Sequence, residues 1–372
     1  MILVKNGRVF SSGRFIRKDI YIKDGLFSKK GEADEVYDAE GKFIIPGFWD
    51  IHTHGAMCVD VNAADREGFE KISAFLASHG VTRWLCSILT DDEERTIEAI
   101  KRALDAIENP LSGAKLMGIH LEGPFLSPKY AGAMPPHLII KGNVALLKKY
   151  VDASKNNIRM MTLAPEVEGN YEVVKTFHKS IAFALGHSDA TYEEALKCIE
   201  AGAVSITHTG NAMRLFHQHQ PAIFGAAMAE DVMCEMICDG LHLHKDTVKM
   251  YMKVKGPEKL LAVSDSISAA GMPDGEYMLG INHVVVKNGD ALLRDAPVRA
   301  GSTLTLDRAF RNIMAFSGES MADAVPPTGP NQAKMLGFGK KYGKIAVGFH
   351  GDFNIIDSNG NVESTFIDGK RV

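Results

Sequence analysis

The sequence predicts an α/β protein: a (β/α)8 barrel of the TIM type with a small β-sandwich domain built from both termini. Three observations predict it. Eight short apolar runs alternate with helix-period segments through the middle of the chain. Both ends instead carry short alternating segments broken by turn residues. Finally, 372 residues are two to three times a ~100–150-residue domain, so a large barrel with a small companion fits and one small module does not.

Taken in order, the first 45 residues are punctuated by Asn6-Gly7, Ser11-Ser12-Gly13 and Asp24-Gly25, pairs that favour positive φ, and are expected to form a small antiparallel sheet. Barrel strands are then expected at 49–54, 81–89, 115–121, 158–163, 181–186, 203–208, 232–238 and 259–264. Between them, apolar residues recur at helix-face spacing, as in Phe69, Ile72, Phe75 and Leu76. An open doubly wound sheet lacks its glycine-rich dinucleotide fingerprint here. Residues 274 to about 297 read as a β-hairpin inserted after the eighth strand, near the face where barrels keep their sites. Asn359-Gly360 and Asp368-Gly369 give the last 25 residues the texture of the first. The expected division is 1–46 with 338–372 as the discontinuous sandwich and 47–337 as the barrel. No repeat of 20–50 residues supports a solenoid or propeller.

Composition narrows the partners. With 45% hydrophobic and 24% charged residues the chain can bury a large core. Lys plus Arg 42 against Asp plus Glu 46 offers no basic field for nucleic acid. Five scattered cysteines, Cys58, Cys86, Cys198, Cys234 and Cys238, fit reduced thiols and a cytoplasmic setting better than a disulfide framework. The N-terminus has no apolar core segment, and no window reaches ~18 uncharged apolar residues, so neither export nor membrane insertion is expected.

The chemistry sits at the strand ends. His52 and His54 close the first expected strand, Glu122 follows the third, His187 the fifth, His208 the sixth and Asp265 the eighth. In a barrel those ends converge on one cavity. The two-residue pleat sends both imidazoles of His52-Thr53-His54 to one side, within reach of a metal at ~2.0–2.1 Å. Each residue alone has a plainer reading: a core histidine, a solvated glutamate, a helix-capping aspartate. Those readings must all hold at once, whereas a single metal centre with histidine and carboxylate ligands accounts for every one. Gly186-His187-Ser188-Asp189-Ala190 is a poor nucleophile elbow, since it ends in Ala and the metal claims its histidine. Cys234 and Cys238, expected in one extended strand, lie too far apart for a shared thiolate site. No phosphate-binding glycine loop ending in Lys-Ser/Thr is present.

Six segments carry a resemblance: 46–55 (Pro46-Gly47 through His52-Thr53-His54-Gly55), His120-Leu121-Glu122-Gly123-Pro124-Phe125, Gly186-His187-Ser188, Thr207-His208 with Asn211-Ala212-Met213, Asp239-Gly240-Leu241-His242, and Gly271-Met272-Pro273-Asp274-Gly275. In this order, over nearly the whole chain, they resemble the N-acetylglucosamine-6-phosphate deacetylase family of the amidohydrolase superfamily. The resemblance implies a metal-dependent barrel with a two-ended β-sandwich, removing acetyl from an amino sugar phosphate. It assigns Glu122, His187 and His208 to the principal metal, His52 and His54 to a second one that some members lack, and Asp265 to the acid/base role. The implied cofactor is a divalent ion, zinc first and iron or another ion as alternatives, with one or two per subunit. Many amidohydrolases bridge two metals with a carboxylated lysine from the fourth strand; residues 158–163 contain none, so Glu122 would bridge.

Substrate recognition matches less closely. His219-Gln220-Pro221-Ala222 stands where many members read Arg-Glu-Pro-Gly, whose Arg contacts the phosphate, often from the neighbouring subunit of a dimer. Tyr130 stands where Arg is common, Met134 where Gln or His is usual, and Gly329-Pro330-Asn331-Gln332-Ala333-Lys334 departs from Asn-Pro-Ala-Arg. Asn211, Ala212, His219, His242, Met134 and Lys129 are the expected substrate-binding residues, and a homodimer is the expected assembly. The alternatives are a different, non-phosphorylated N-acyl amino sugar, or another amidohydrolase acting on cyclic amides.

Overall fold

The computed structural model describes residues 1–372. Phe48–Asp50 (β1), Val81–Leu89 (β2), Lys115–Glu122 (β3), Ile158–Leu163 (β4), Ala182–Leu185 (β5), Ser205–Ile206 (β6), Met233–Met236 (β7) and Leu260–Ala262 (β8) pair in sequence order as one parallel sheet. The sheet is drawn closed beyond β1 and β8, where Asp265 N donates to His52 O at 2.8 Å and His54 N to Ser266 O at 2.7 Å. All nine residues of β2 are buried, as expected of a parallel strand covered on both faces.

Helices follow the strands: Arg66–Ser78 (α1), Glu93–Glu108 (α2), Val144–Ala153 (α3), Asn170–Phe177 (α4), Tyr192–Glu200 (α5), Ala222–Ala229 (α6), Lys245–Lys255 (α7) and Leu306–Ser317 (α8). Their starts are chemically marked. The Asp65 carboxylate accepts from Gly68 N at 2.8 Å at the head of α1, and Thr191 with Glu194 forms a reciprocal capping box on α5. In α1, Phe69, Ile72 and Leu76 are buried against the barrel, whereas Phe75 is half-buried.

The strands are shorter than expected at β1 and from β5 to β8, and at the ends of β5, β6 and β8 the backbone shows a local reason. His187, His208 and Asp265 take φ of 48°, 27° and 50°, which no β ladder admits and which non-glycine residues rarely adopt. The chain leaves the sheet there. Cys238 likewise lies beyond the end of β7, so it does not share a strand with Cys234; both are buried free thiols, and Cys58 is exposed.

The terminal sheets also differ from expectation. One sheet runs Leu26–Ser28, Ile20–Lys23, Ile2–Lys5, Glu35–Asp38; the other runs Lys370–Arg371, Val362–Ile367, Phe353–Ile356, Phe43–Pro46, Arg8–Ser11, Arg14–Arg17. Both are mixed rather than purely antiparallel, because Glu35–Asp38 and Phe43–Pro46 return parallel to Ile2–Lys5 and Arg8–Ser11. Val4, Val9 and Ile44 share one apolar cluster with Phe353 and Phe366, which stack at 4.3 Å between centroids. Arg83 on β2 donates to both carboxylate oxygens of Asp352, at 2.7 and 3.0 Å. The pair is buried, and breaking such a pair from one side costs ~3–5 kcal/mol, so it clamps the C-terminal sheet to the barrel.

After β8 the insertion is a three-stranded antiparallel meander, not a single hairpin: Gly275–Leu279 (β9), Asn282–Lys287 (β10) and Asp290–Leu293 (β11). Asn288-Gly289, both at positive φ, makes the extra turn.

Candidate metal centre

The barrel brings all six chemically suspect residues together. Strand alternation places His120 and Glu122 on one face of β3, with Glu122 at the rim and His120 one layer deeper. Past β1, the backbone N–H groups of His52 and Ser264 both donate to the Asp50 carboxylate at 3.3 Å, fixing the exits of β1 and β8 to each other. Burial pushes the Asp50 carboxyl up to about 6. Gly123, at φ 87°, turns the chain away after Glu122 where a Cβ would meet Thr90 Oγ1 at 2.1 Å.

Two donor groups result. Glu122, His187 and His208 form one, with His187 Nε2 and His208 Nε2 at 3.2 and 3.3 Å from Glu122 Oε1 and 3.0 Å from each other. His52, His54 and Asp265 form the other: the two Nε2 atoms are 3.2 Å apart, and Asp265 Oδ1 is 3.6 Å from His52 and 3.3 Å from His54. Glu122 joins them, Oε1 lying 3.3 Å from His52 Nε2 and Oε2 3.2 Å from His54 Nε2.

These spacings suit an ion. Bonds of ~2.0–2.1 Å in a tetrahedral shell separate neighbouring donors by ~3.3 Å, close to what both groups show. The outer nitrogens agree. His54 Nδ1 donates to Ser87 O at 3.0 Å and His187 Nδ1 to Tyr130 O at 2.9 Å, while His52 Nδ1 lies 3.0 Å from Glu235 Oε2. Carbonyl and carboxylate oxygens only accept, so Nδ1 carries a hydrogen and Nε2 is the inward nitrogen that can exchange its proton for an ion. His208 Nδ1 has no partner.

The charges point the same way. Burial opposes protonation of His52 and His54, yet the carboxylates of Glu122 and Asp265 outweigh it, holding His52 well above its ordinary range and His54 up at about 9. Burial likewise pushes Glu122 and Asp265 upward, but the His52 charge and the surrounding imidazole hydrogen bonds keep both below the usual carboxylate range. The pocket attracts positive charge. His120 differs: burial, then the His52 charge, drive it well below its usual value, and both ring nitrogens are satisfied by Ser87 Oγ and Thr162 Oγ1 at 2.9 Å. It is a core histidine.

A cavity of about 240 Å³ opens above the cluster, lined by His54, Glu122, His187, His208 and Asp265; His52 lies beneath them, fully buried. The volume is below the ~300–1,000 Å³ usual for drug-sized ligands, so a small molecule fits better than a polymer. Of the expected substrate residues, Asn211, Ala212, His242 and Met134 line it. His242 Nδ1 pairs with Asp239 Oδ2 at 2.7 Å. Lys129 and His219 do not line it. The Lys129 ammonium is drawn out to Asp189 at 2.7 Å, and His219 stands exposed near the tip of an exposed loop. The side-chain amides of Asn331 and Gln332 are spent on backbone carbonyls, including Leu260 and Ala262 of β8, so that departure concerns packing rather than the cavity.

Several lining residues escaped the sequence reading. Leu89 and Leu279 add apolar wall beside Met134, and Arg299, paired with Asp290 at 2.9 and 3.0 Å, brings a guanidinium to the rim. They come from β2, from the inserted meander and, for Arg299, from the segment that follows it, whose contact with the cavity no local motif reveals. Glu235 on β7, which lies behind the donor groups and not on the cavity, also escaped it, being visible only as one acidic letter in an apolar run.

Comparison with known proteins supplies independent bearings. Residues 43–372 match the amidohydrolase family. An N-acetylglucosamine-6-phosphate deacetylase of Bacillus subtilis is 34% identical over 99% of this chain and 96% of its own. An N-acetylgalactosamine-6-phosphate deacetylase of Escherichia coli O157:H7 is 30% identical over 90% of this chain and 89% of its own. The structure superposes with a TM-score of 0.93, at 28% identity, on a mutant N-acetyl-D-glucosamine-6-phosphate deacetylase of Mycobacterium smegmatis in complex with N-acetyl-D-glucosamine-6-phosphate, covering 100% of this chain and 98% of the other.

Proposed function

Because the chain belongs to the amidohydrolase family and, within it, to the N-acetylglucosamine-6-phosphate deacetylase family, we propose that it hydrolyses the acetamide of an N-acetylated amino sugar phosphate, giving acetate and the free amino sugar phosphate. The observation that carries this reading is the convergence of four imidazole nitrogens and two carboxylates beneath a sugar-sized cavity. Glu122, His187 and His208 would hold the principal ion and His52 and His54 a second, with Glu122 between them. Zinc suits this nitrogen-and-oxygen set, and iron is the alternative. When bound, such an ion polarises the acetyl carbonyl and lowers the pKa of water to ~7.

The chain's own groups do the rest. Asp265, held in its basic form by His52 and His54, takes the proton of the attacking water. It then delivers that proton to the sugar nitrogen, since an amide nitrogen leaves poorly unless protonated. Met134, Leu89 and Leu279 form the apolar wall suited to the acetyl methyl, and Asn211, Ala212 and His242 hold the sugar phosphate. The same reading divides the chain at 1–46 with 338–372 and at 47–337. No helix is long and apolar enough to cross a membrane, and the working compartment is taken as the cytoplasm. Leu215 and Phe216, 61% and 59% exposed beside His217 and His219, support a homodimer that covers this loop.

Deleting the substrate's phosphate is expected to lower kcat/KM by ~10-fold or more, the scale of one charge-assisted hydrogen bond. Acetate release from N-acetylglucosamine with and without a 6-phosphate measures it. Equal turnover would remove the phosphate from the reading and favour the non-phosphorylated alternative. A second sugar is also favoured by a specific feature: Met134, which lines the cavity, departs from the usual family residue, so the galactosamine and mannosamine forms belong in the same assay.

A further inference from the structure

We propose that Glu235 is a positioning residue that sets both donor groups from behind, orienting His52 and fixing the turn at His208; this rests on the metal-centre reading above. Glu235 lies in β7, fully buried. Neighbouring residues of a strand point to opposite faces. The Cys234 thiol reaches the carbonyl of Ala227 on α6, outside the sheet, so Glu235 faces the barrel interior.

One oxygen serves both groups. Glu235 Oε2 lies 3.0 Å from His52 Nδ1 and accepts the backbone N–H of His208 at 3.0 Å. The Glu235 carbonyl accepts from Thr209 N at 3.0 Å, pinning β7 to the same turn. Oε1 has no partner, and no lysine or arginine pairs with the carboxylate; His52 is its one ionic contact. An apolar residue of similar size would stabilise this interior better than a half-satisfied carboxylate. Its chemistry makes sense behind a ligand: a carboxylate on the outer nitrogen fixes the tautomer and the ring's orientation and makes the inner nitrogen a stronger donor. His208, at φ 27° and with no partner on its own Nδ1, is held through its backbone instead. Glu235 touches neither cavity nor substrate and acts only through these two histidines.

The test is Co²⁺ titration of metal-stripped protein, read by calorimetry and by the visible d–d absorption, with the melting temperature of the stripped protein measured alongside. Glu235→Gln keeps the shape and an acceptor oxygen but removes the charge. It is expected to weaken Co²⁺ binding 10–100-fold, the usual cost of losing an outer partner of a ligating histidine, and to alter the absorption band while the stripped protein melts as wild type does. Glu235→Leu removes both hydrogen bonds and should weaken binding further; if it fails to fold, the Gln variant decides. Unchanged affinity and spectrum in Glu235→Gln overturn the proposal, as does a lowered melting temperature with Co²⁺ binding intact, which marks a merely structural role. Wild-type protein that binds no Co²⁺ overturns the metal centre itself, a separate result.

Discussion

Asp265→Asn is expected to lower kcat by ~10²–10⁴-fold, the range that a general acid–base contributes, with KM little changed and the ion at Glu122, His187 and His208 retained. The substitution keeps the shape of the side chain and a contact to His54, now 3.3 Å from Oδ1, but an amide cannot accept and return a proton. Asp265 is buried, borders the cavity and is kept below the usual carboxylate range by its two imidazole neighbours despite the upward push of burial. It therefore stands ionised at the cavity edge, the form that the proposed proton transfer requires. Steady-state kinetics with metal analysis on the same sample checks this. Loss of kcat alone marks a step made only in the transition state, and an unchanged kcat removes the proton shuttle.

Glu122→Gln is expected to have a larger effect on the metal itself. Glu122 contacts four imidazoles, two in each donor group, at 3.2 to 3.3 Å, whereas the Glu235 carboxylate reaches one imidazole and a backbone N–H from behind. Replacing it removes the charge that favours a cation between those rings. The affinity loss should exceed the ~10–100-fold typical of an outer-shell substitution, with acetate release falling in parallel. Metal content after dialysis against a buffered low concentration of Zn²⁺ measures it; wild-type metal content in the variant would contradict a bridging position.

Much of the site was legible because barrel geometry does the assembling. Once His52, His54, Glu122, His187, His208 and Asp265 are placed at strand ends, their convergence follows from closure, and the resemblance assigns each a role. What the sequence hid has physical causes. Strand lengths at β5, β6 and β8 were overread because the site bends the residues just past them, His187, His208 and Asp265, to positive φ. The mixed pairing of the terminal sheets depends on crossovers, which alternation cannot encode. Lys129 reads as a cavity cation until Asp189, 60 residues later in the chain, is seen to hold it outside. Arg299 and Leu279 reach the cavity only because the meander and the segment after it fold back over the barrel mouth. Glu235 is the sharpest case: a lone acid in Met233–Met236 looks like an irregularity until His52 is seen on its far side.

The central claim is that the buried imidazoles and carboxylates hold a divalent cation on which amide hydrolysis depends. Its most direct test is acetate release from N-acetylglucosamine-6-phosphate by one preparation, assayed as stripped protein and again after stoichiometric return of Zn²⁺ or Fe²⁺, with bound metal counted in each state. Activity that vanishes on stripping and returns in proportion to the ion bound is the expected result; full turnover by protein free of metal would contradict the account.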